Sequence, residues 1–219
     1  MGLRQLRLEA QEKARQIIPA LFVEMFGDPA ANPKGWPRVP FGDLVTIKAQ
    51  LRKPDIRAEG HFACFGPEAI ESRTGRLLAY GTVSECRPKS GKYLFSDNEV
   101  LYSKIRPYLA KAAIVTDKGY CSVDMYPLSR MKIVVPEFVL SLLLSQAFTD
   151  FATRESMRAR MPKLNRATLF GYQAPLPPLS LQKAFASRIA DIQAMITQQE
   201  RMTSASERLA SSLMAEAFG

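Results

Sequence analysis

The spacing of apolar residues changes twice along the 219-residue chain, and this change limits the folds open to it. Near both ends apolar residues recur every three or four positions, which is the periodicity of a helix. Between the ends, short β-prone runs alternate with turn residues. We therefore predict an α+β fold with an N-terminal helix over residues 1–26, one globular domain over 27–179 and a long C-terminal helix over 180–219.

The C-terminal segment has the alternating three- and four-residue spacing of a coiled-coil seam. A helix of this length runs on the order of 55 Å, too long to fold back into a small core, so it needs a partner helix. The N-terminal helix of the same chain or of a second copy is the candidate partner, and a helix packed only on its own domain is the alternative. The predicted docking residues are Ile192, Met195, Met202, Leu209 and Leu213.

The middle of the chain is predicted to hold short strands followed by one helix. The predicted strands run from Tyr93 to Ser96, Val100 to Ile105, Ala112 to Thr116, Cys121 to Leu128 and Met131 to Val135. The helix is predicted from Pro136 to Phe151, because Phe138, Leu142 and Phe148 follow a helical spacing. The helix that precedes the globule is expected to end at Phe26-Gly27-Asp28-Pro29.

Charge is divided unevenly between these parts. The chain has a formal net charge of +9. The first 26 residues carry four basic and three acidic side chains, and residues 180–219 carry four of each. Residues 27–179 carry 22 basic and 14 acidic side chains, so almost all of the excess lies in the globule. A basic globule between nearly neutral helices favours a polyanionic partner.

The basic residues of the globule cluster in predicted loops with aromatic residues nearby. Such loops suit the neutralisation of phosphates, and arginine also pairs with guanine edges through two hydrogen bonds. The alternative is that these charges only keep the protein in solution. The candidate DNA-binding residues are Lys48, Arg52, Lys53, Lys89, Lys92, Lys104, Arg106, Arg158, Arg160, Lys163 and Arg166.

Sequence motifs for catalysis are missing. There is no phosphate-binding GxxxxGK[ST] loop, no GxGxxG, no HExxH and no GxSxG. The single histidine, His61, and three dispersed cysteines make a metal site improbable. Pro54-Asp55 lacks the Glu-x-Lys partner of a nuclease carboxylate cluster, so a stand-alone nuclease is the least favoured reading. We expect no catalytic residues and no metal or cofactor in this chain.

The chain lacks an apolar run of the roughly 20 residues needed to cross a bilayer. Its first residues lack the apolar centre of a secretory signal. We therefore expect a cytoplasmic protein without a membrane partner.

Several local sequences form an ordered set along the chain. They are Met25-Phe26-Gly27-Asp28-Pro29, Asn32 to Trp36, Phe41 to Leu44, Val100 to Pro107, Gly119 to Asp124, Met161 to Arg166, Pro175 to Leu179 and Gln182. The set resembles the specificity subunits of type I restriction-modification systems, and the entry into the globule and its exit towards the last helix resemble the borders of their target-recognition domains.

The resemblance implies a protein without catalytic residues that binds double-stranded DNA. It also implies a modification subunit as partner, which holds S-adenosylmethionine, and a restriction translocase as a further partner. The family pattern has two recognition domains with long helices that set the distance between two half-sites, whereas this sequence has one. A homodimer through the helices would restore two domains, and a fragment of a longer subunit fits equally well. A remnant that docks the modification subunit without reading DNA is the other alternative.

Overall fold

The computed structural model describes residues 16–48, 50–157 and 162–218, with side chains on the last helix described up to residue 206 except at 199, 200, 203 and 204. Helix α1 covers residues 16–26. The other helices are α2 (Ile56–Glu59), α3 (Val83–Cys86), α4 (Pro136–Leu144), α5 (Gln146–Ser156), α6 (Arg166–Gly171) and α7 (Leu179–Phe218). The strands are β1 (Arg38–Pro40), β2 (Val45–Thr46), β3 (Leu51–Arg52), β4 (Ala63–Phe65), β5 (Gly81–Thr82), β6 (Lys92–Phe95), β7 (Val100–Ser103), β8 (Ala112–Ile114), β9 (Gly119–Cys121), β10 (Met125–Arg130) and β11 (Gln173–Pro175).

The strands form three small sheets. One has the order β2-β10-β7-β8 and is antiparallel throughout. The second has the order β3-β6-β9-β4-β5, in which only the β4–β9 pair is parallel. The third pairs β1 with β11, so the entry of the globule lies beside its exit. This mixture of short strands and helices confirms the predicted α+β fold.

The inner ends of α1 and α7 belong to the main core. Phe22 and Phe26 of α1 pack against Phe138 of α4 and Phe185 of α7, with ring centroids 5.0 to 5.8 Å apart. All four rings are at most 2 % exposed. Burying an aromatic ring of this size contributes about 2–3 kcal/mol, so the helices are anchored to the globule by apolar packing. One core cluster therefore includes residues of α1, of the globule and of the inner end of α7.

Helix α1 ends where the sequence predicts. Gly27 has a φ of +82°, and its N–H donates to the carbonyl of Val23 over 2.8 Å. A Cβ at this glycine would come within 2.7 Å of the Pro33 ring, so both the backbone angle and the space require glycine. The indole N–H of Trp36 donates to the last carbonyl of α1, at Phe26, over 2.9 Å.

The predicted strand from Met131 to Val135 is wrong. Met131 N–H still donates to the Leu44 carbonyl next to β2, but the hydrogen bonds of the later residues go to a side chain and a turn instead of a neighbouring strand. The side chain of Gln182, fully buried on α7, accepts from Val135 N–H and donates to the carbonyls of Ile133 and Pro177. Val134 N–H donates to Met131 within the turn. This segment therefore fixes the position of α7 against the globule.

Two further predicted elements are each divided in the structure. The segment from Cys121 to Leu128 forms the end of β9 and most of β10, which lie in different sheets, because a turn at Ser122 reverses the chain. The predicted helix from Pro136 to Phe151 is two helices. Ser145 adopts an extended conformation and its hydroxyl caps α5 at the Phe148 N–H, so the two helices meet at an angle. The strands between residues 38 and 82 were not predicted individually.

Helix α7 packs on α1 near the globule and extends beyond it. At 40 residues it is about 60 Å long. An open groove of about 430 Å³ between the two helices is lined by apolar Ile17, Leu21 and Ile192, and by charged Glu24 and Arg188. Among the described residues, no helix is long and apolar enough to cross a membrane.

Candidate nucleic-acid interface

The structure brings together predicted basic residues that are far apart in the sequence. Residues 162–164 run antiparallel to residues 104–106, which follow β7, with a bridge between Ile105 and Lys163. Arg106 N–H donates to the Pro162 carbonyl over 3.0 Å, and Leu164 N–H donates to the Lys104 carbonyl over 2.8 Å. We call Lys104, Arg106, Lys163 and Arg166 the junction cluster.

Lys104 is the most unusual member of the junction cluster because it is a buried cation. It is 7 % exposed, and its Nζ lies 4.9 Å from the centroid of the Tyr126 ring. In the described ranges no salt bridge or side-chain hydrogen bond involves it. Burial lowers the pKa of the Lys104 ammonium, the charge of Lys163 lowers it further, and Asp124 opposes both. An ammonium in this state gains from any anion that approaches.

The two arginines of the junction cluster point into the solvent from constrained backbone. Arg106 is exposed and has a φ of +48°, which is uncommon for a residue other than glycine. A turn of 3₁₀ helix over Pro107–Leu109 follows it directly. Arg166 opens α6, where its guanidinium carbon lies 5.0 Å from the centroid of the Phe170 ring. The left-handed backbone sets the direction in which the Arg106 side chain leaves the main chain, and the contact with Phe170 orients the Arg166 guanidinium.

A second group of predicted residues lies at the edge of the five-stranded sheet. Arg52 of β3 is opposite Lys92 of β6 in the antiparallel register. Lys48, Lys53 and Lys89, all exposed, lie in the loops next to these two strands. We call Lys48, Arg52, Lys53, Lys89 and Lys92 the sheet-edge cluster.

Arg52 differs from the lysines around it because an acid and an aromatic ring hold it. Its guanidinium forms two hydrogen bonds with the Glu59 carboxylate, one of them Nη1 to Oε2 over 3.3 Å. Its Cζ lies 5.2 Å from the centroid of the Tyr120 ring. The Tyr120 hydroxyl donates to Glu59 Oε2 over 2.6 Å, and Asp55 N–H donates to the same oxygen over 2.9 Å. The side chain of Arg52 is still 44 % exposed.

These contacts set the charge state of the acid. Burial by itself raises the pKa of Glu59, but the hydrogen bonds from Tyr120, Asp55 and Arg52 and the charge of Arg52 outweigh it. The net result lowers the pKa of Glu59 to about 2. Burial and the hydrogen bond to Glu59 raise the pKa of Tyr120. The acid is therefore ionised and the phenol neutral over the whole physiological range.

A tyrosine on β6 connects the two clusters. Strand β6 lies against β10, and Tyr93, which follows Lys92 on β6, interacts electrostatically with Tyr126 of β10, the ring under Lys104. Burial is the main reason that the pKa of Tyr126 is raised, Tyr93 adds to the effect, and Arg166 opposes it. The junction cluster and the sheet-edge cluster thus flank neighbouring strands of adjacent sheets.

Some predicted residues lie outside what the structure describes. Arg158 and Arg160 fall in residues 158–161, and the side chains of Leu209 and Leu213 are likewise outside the described part. Of the other predicted docking residues, Ile192 lines the groove between α1 and α7, whereas Met195 and Met202 are 69 % and 64 % exposed. For every predicted DNA-binding residue, contact with DNA stays a prediction, and for every predicted docking residue, contact with a partner stays a prediction.

Sequence reasoning missed three residues that shape the clusters. Glu59, Tyr120 and Tyr126 hold or underlie the basic side chains; Glu59 and Tyr126 lie in no local motif, and Tyr120 lies in a matching segment that gave it no role. Strand pairing between distant segments brings them there, as for Tyr120, whose strand β9 lies beside β6 and β4. The only local signal was the helical spacing of Asp55 and Glu59, which bond to each other across α2.

Comparisons with known proteins identify the family of this chain. The family model for the type I restriction modification DNA specificity domain matches residues 33–203, which includes the globule and the inner half of α7. The chain belongs to this family. The resemblance noted in the sequence is therefore confirmed. A specificity-subunit relative, that of the type I restriction enzyme EcoDI from Escherichia coli, is 34 % identical over 191 residues, which are 85 % of this chain and 42 % of that protein.

Solved structures show the same fold for a specificity domain. An HsdS subunit from Thermoanaerobacter tengcongensis matches with a TM-score of 0.56 and 20 % identity, over 98 % of this chain and 53 % of that one. A chain from a structure on complex assembly and conformational transition of the type I restriction-modification system matches with a TM-score of 0.61 and 18 % identity, over 96 % and 52 % of the two chains. The chain spans about half the length of these relatives.

Proposed function

We propose that this protein recognises double-stranded DNA in a type I restriction-modification complex and directs the action of partner subunits. The observation that carries the proposal is the junction cluster, in which a buried and unpaired Lys104 lies beside three further cations. Burial of the Lys104 side chain weakens the hydration of its ammonium, and among the described residues no acid is in contact with it, so an approaching phosphate gains a favourable interaction. Membership of the specificity family supports DNA as the source of that phosphate.

The two clusters contact one duplex in complementary ways. The junction cluster and the lysines of the sheet-edge cluster contact phosphates, which sets the position of the globule on the DNA. A smaller number of side chains contact base edges in the groove, which provides the sequence preference. The chain itself performs no catalysis, and S-adenosylmethionine binds to the partner modification subunit.

The helices are proposed to dock the modification subunit. The exposed Met195 and Met202 and the groove between α1 and α7 form an apolar surface that suits a partner helix. A restriction translocase is a further proposed member of the complex. Pairing of α7 with a second copy would place two globules around a two-fold axis, so such a dimer favours an inverted-repeat target. The mass of the complex in solution distinguishes one copy of this chain from two.

Selection from random duplexes tests the proposed DNA recognition. The full chain, purified with the modification subunit, is expected to enrich a defined sequence and to bind it more tightly than unrelated duplex. Its affinity is expected to fall steeply with salt, because each phosphate contact releases counterions. A complex that assembles but binds all duplexes alike would instead support the alternative, a remnant that only docks the modification subunit.

A further inference from the structure

Arg52 is the only described member of the two clusters whose charge is matched by an acid. Its guanidinium and the Glu59 carboxylate together carry no net charge, and Glu59 remains ionised throughout the range in which DNA is bound. A neutral pair of this kind releases few counterions when it meets a phosphate. The arrangement is therefore poorly suited to backbone neutralisation, which the surrounding lysines can perform.

The same contacts orient the guanidinium. Glu59 occupies the edge formed by Nη1 and Nη2, and the Tyr120 ring covers one face at 5.2 Å. An arginine has five N–H donors in one plane, so two of these contacts leave the Nε–H and an outer Nη–H as a second parallel pair. In the described part of the chain no acceptor is found for Nε of Arg52. With 44 % of the side chain exposed, this second edge is available to a ligand.

Two parallel donors held in a fixed plane match the O6 and N7 acceptors of guanine in the major groove. A free arginine loses side-chain entropy when it forms such a pair, whereas one that is already held in place loses less. We propose that Arg52 reads a guanine of the DNA target, and that Glu59 and Tyr120 are positioning residues that hold its guanidinium in the reading orientation. This inference rests on the proposed DNA recognition and adds a specificity role for one residue.

Replacing Arg52 by lysine separates recognition of the base from the effect of the positive charge. In Arg52→Lys the positive charge stays, but the planar pair of donors is lost. In a random-duplex selection with the full complex, we expect one guanine position of the wild-type motif to become degenerate. Discrimination against the other three bases at that position should fall by about 5- to 150-fold. The salt dependence of the affinity should change by less than one phosphate contact.

Two control variants make the result specific. Arg57→Lys changes another exposed arginine, on α2, and is expected to leave the motif and the affinity unchanged. Lys53→Ala is expected to lower the affinity for every sequence alike and to reduce the salt slope by about 1. Glu59→Gln and Tyr120→Phe, assayed below their unfolding temperatures, are expected to weaken the preference at the same guanine position and at no other.

The outcomes separate this inference from the proposed function. If the wild-type complex selects a motif and Arg52→Lys selects the same motif with equal discrimination, Arg52 does not read a base, although DNA recognition stands. If Arg52→Lys loses affinity equally for all sequences, Arg52 contacts a phosphate and the inference is wrong. If the wild-type complex selects no motif, DNA recognition itself is overturned, and this inference with it.

Discussion

The junction cluster and the sheet-edge cluster contain the same kinds of side chain but handle their charge in opposite ways. At the sheet edge, an acid and a phenol hold Arg52 and leave it partly exposed. At the junction, Lys104 is buried without an acid in contact, and Lys163 adds a like charge. The charge of Arg52 is balanced by Glu59 before any ligand binds. The charge of Lys104 is electrostatically unfavourable until an anion binds nearby.

The number of basic residues in a cluster therefore does not show whether they orient a ligand or attract it by charge. A cation that is already paired with an acid can orient a ligand, because its remaining N–H donors point in a fixed direction. A cation without a partner contributes attraction, because its charge is free to release counterions from DNA. The two clusters therefore predict different responses to substitution and to pH.

The largest expected effect is on DNA affinity at the junction. Replacing Arg106 and Lys163 together by alanine removes two exposed charges and is expected to lower the affinity of the complex about 10- to 100-fold near 150 mM salt. The slope of log affinity against log salt should fall by about 2, measured by fluorescence anisotropy over a salt series. The control replaces Lys132 and Lys183, two exposed cations outside both clusters and outside the groove, by alanine. If both double variants lost the same DNA affinity, the junction cluster would contribute only general positive charge and no specific contact.

The next effect is on stability at the sheet edge. Glu59→Gln is expected to lower the free energy of unfolding by about 1–2 kcal/mol at pH 7, because it weakens the bonds from Arg52 and Tyr120. The pKa of Glu59 is about 2 in the fold against an ordinary 4.5, so its stabilisation is complete above pH 4.5. It is lost as the pH falls from 4.5 towards 2, where wild type and variant should converge in urea unfolding.

Glu155→Gln is the matched control for this acid. Glu155 pairs with Arg154 on the surface of α5, and both side chains are exposed. Such a pair contributes little to stability, so this variant should unfold like the wild type at every pH. If Glu59→Gln also unfolded like the wild type at every pH, the contacts around Arg52 would contribute nothing to the free energy of unfolding.

The smallest effect is expected at Lys104 and has the opposite sign. Lys104→Met keeps the length of the side chain but removes a buried charge, so the free energy of unfolding at pH 7 should stay equal or rise by about 1 kcal/mol. The fold lowers the pKa of Lys104, so at this residue the unfolded chain binds more protons and the lysine becomes less destabilising as the pH rises towards 10.5. Urea unfolding at pH 7 and pH 10 should show the wild type gaining stability relative to the Met variant, because the other titrating groups act in both proteins.

DNA binding completes the test of Lys104. The Met variant is expected to bind DNA more weakly, although it folds at least as well as the wild type. Lys163→Met, at an exposed position, should weaken DNA binding and should reduce, but not abolish, the pH-dependent gain in stability, because it removes the like charge that helps to lower the pKa of Lys104. A Lys104→Met protein that is clearly less stable at pH 7 would identify Lys104 as a structural group and contradict the contrast between the clusters.

The parts of the fold that follow local rules were predictable. The end of α1 at Gly27 and the long α7 depend on residue spacing and on one glycine, so they appear in the sequence. The strand predicted from Met131 to Val135 failed because Gln182, on another element, takes its hydrogen bonds. The predicted helix beyond Pro136 was divided by Ser145, whose hydroxyl makes a local cap that hydrophobic spacing does not reveal.

The sequence by itself determined the class of fold, the helices at both ends, the concentration of positive charge in the globule and the family. These features depend on periodicity, composition and short motifs, which are local properties of the chain. Only the tertiary structure decided which cations share a surface and which of them are neutralised. Strand pairing brings Lys163 beside Lys104 and Tyr120 beneath Arg52, and such pairing depends on contacts between distant segments that no local pattern encodes.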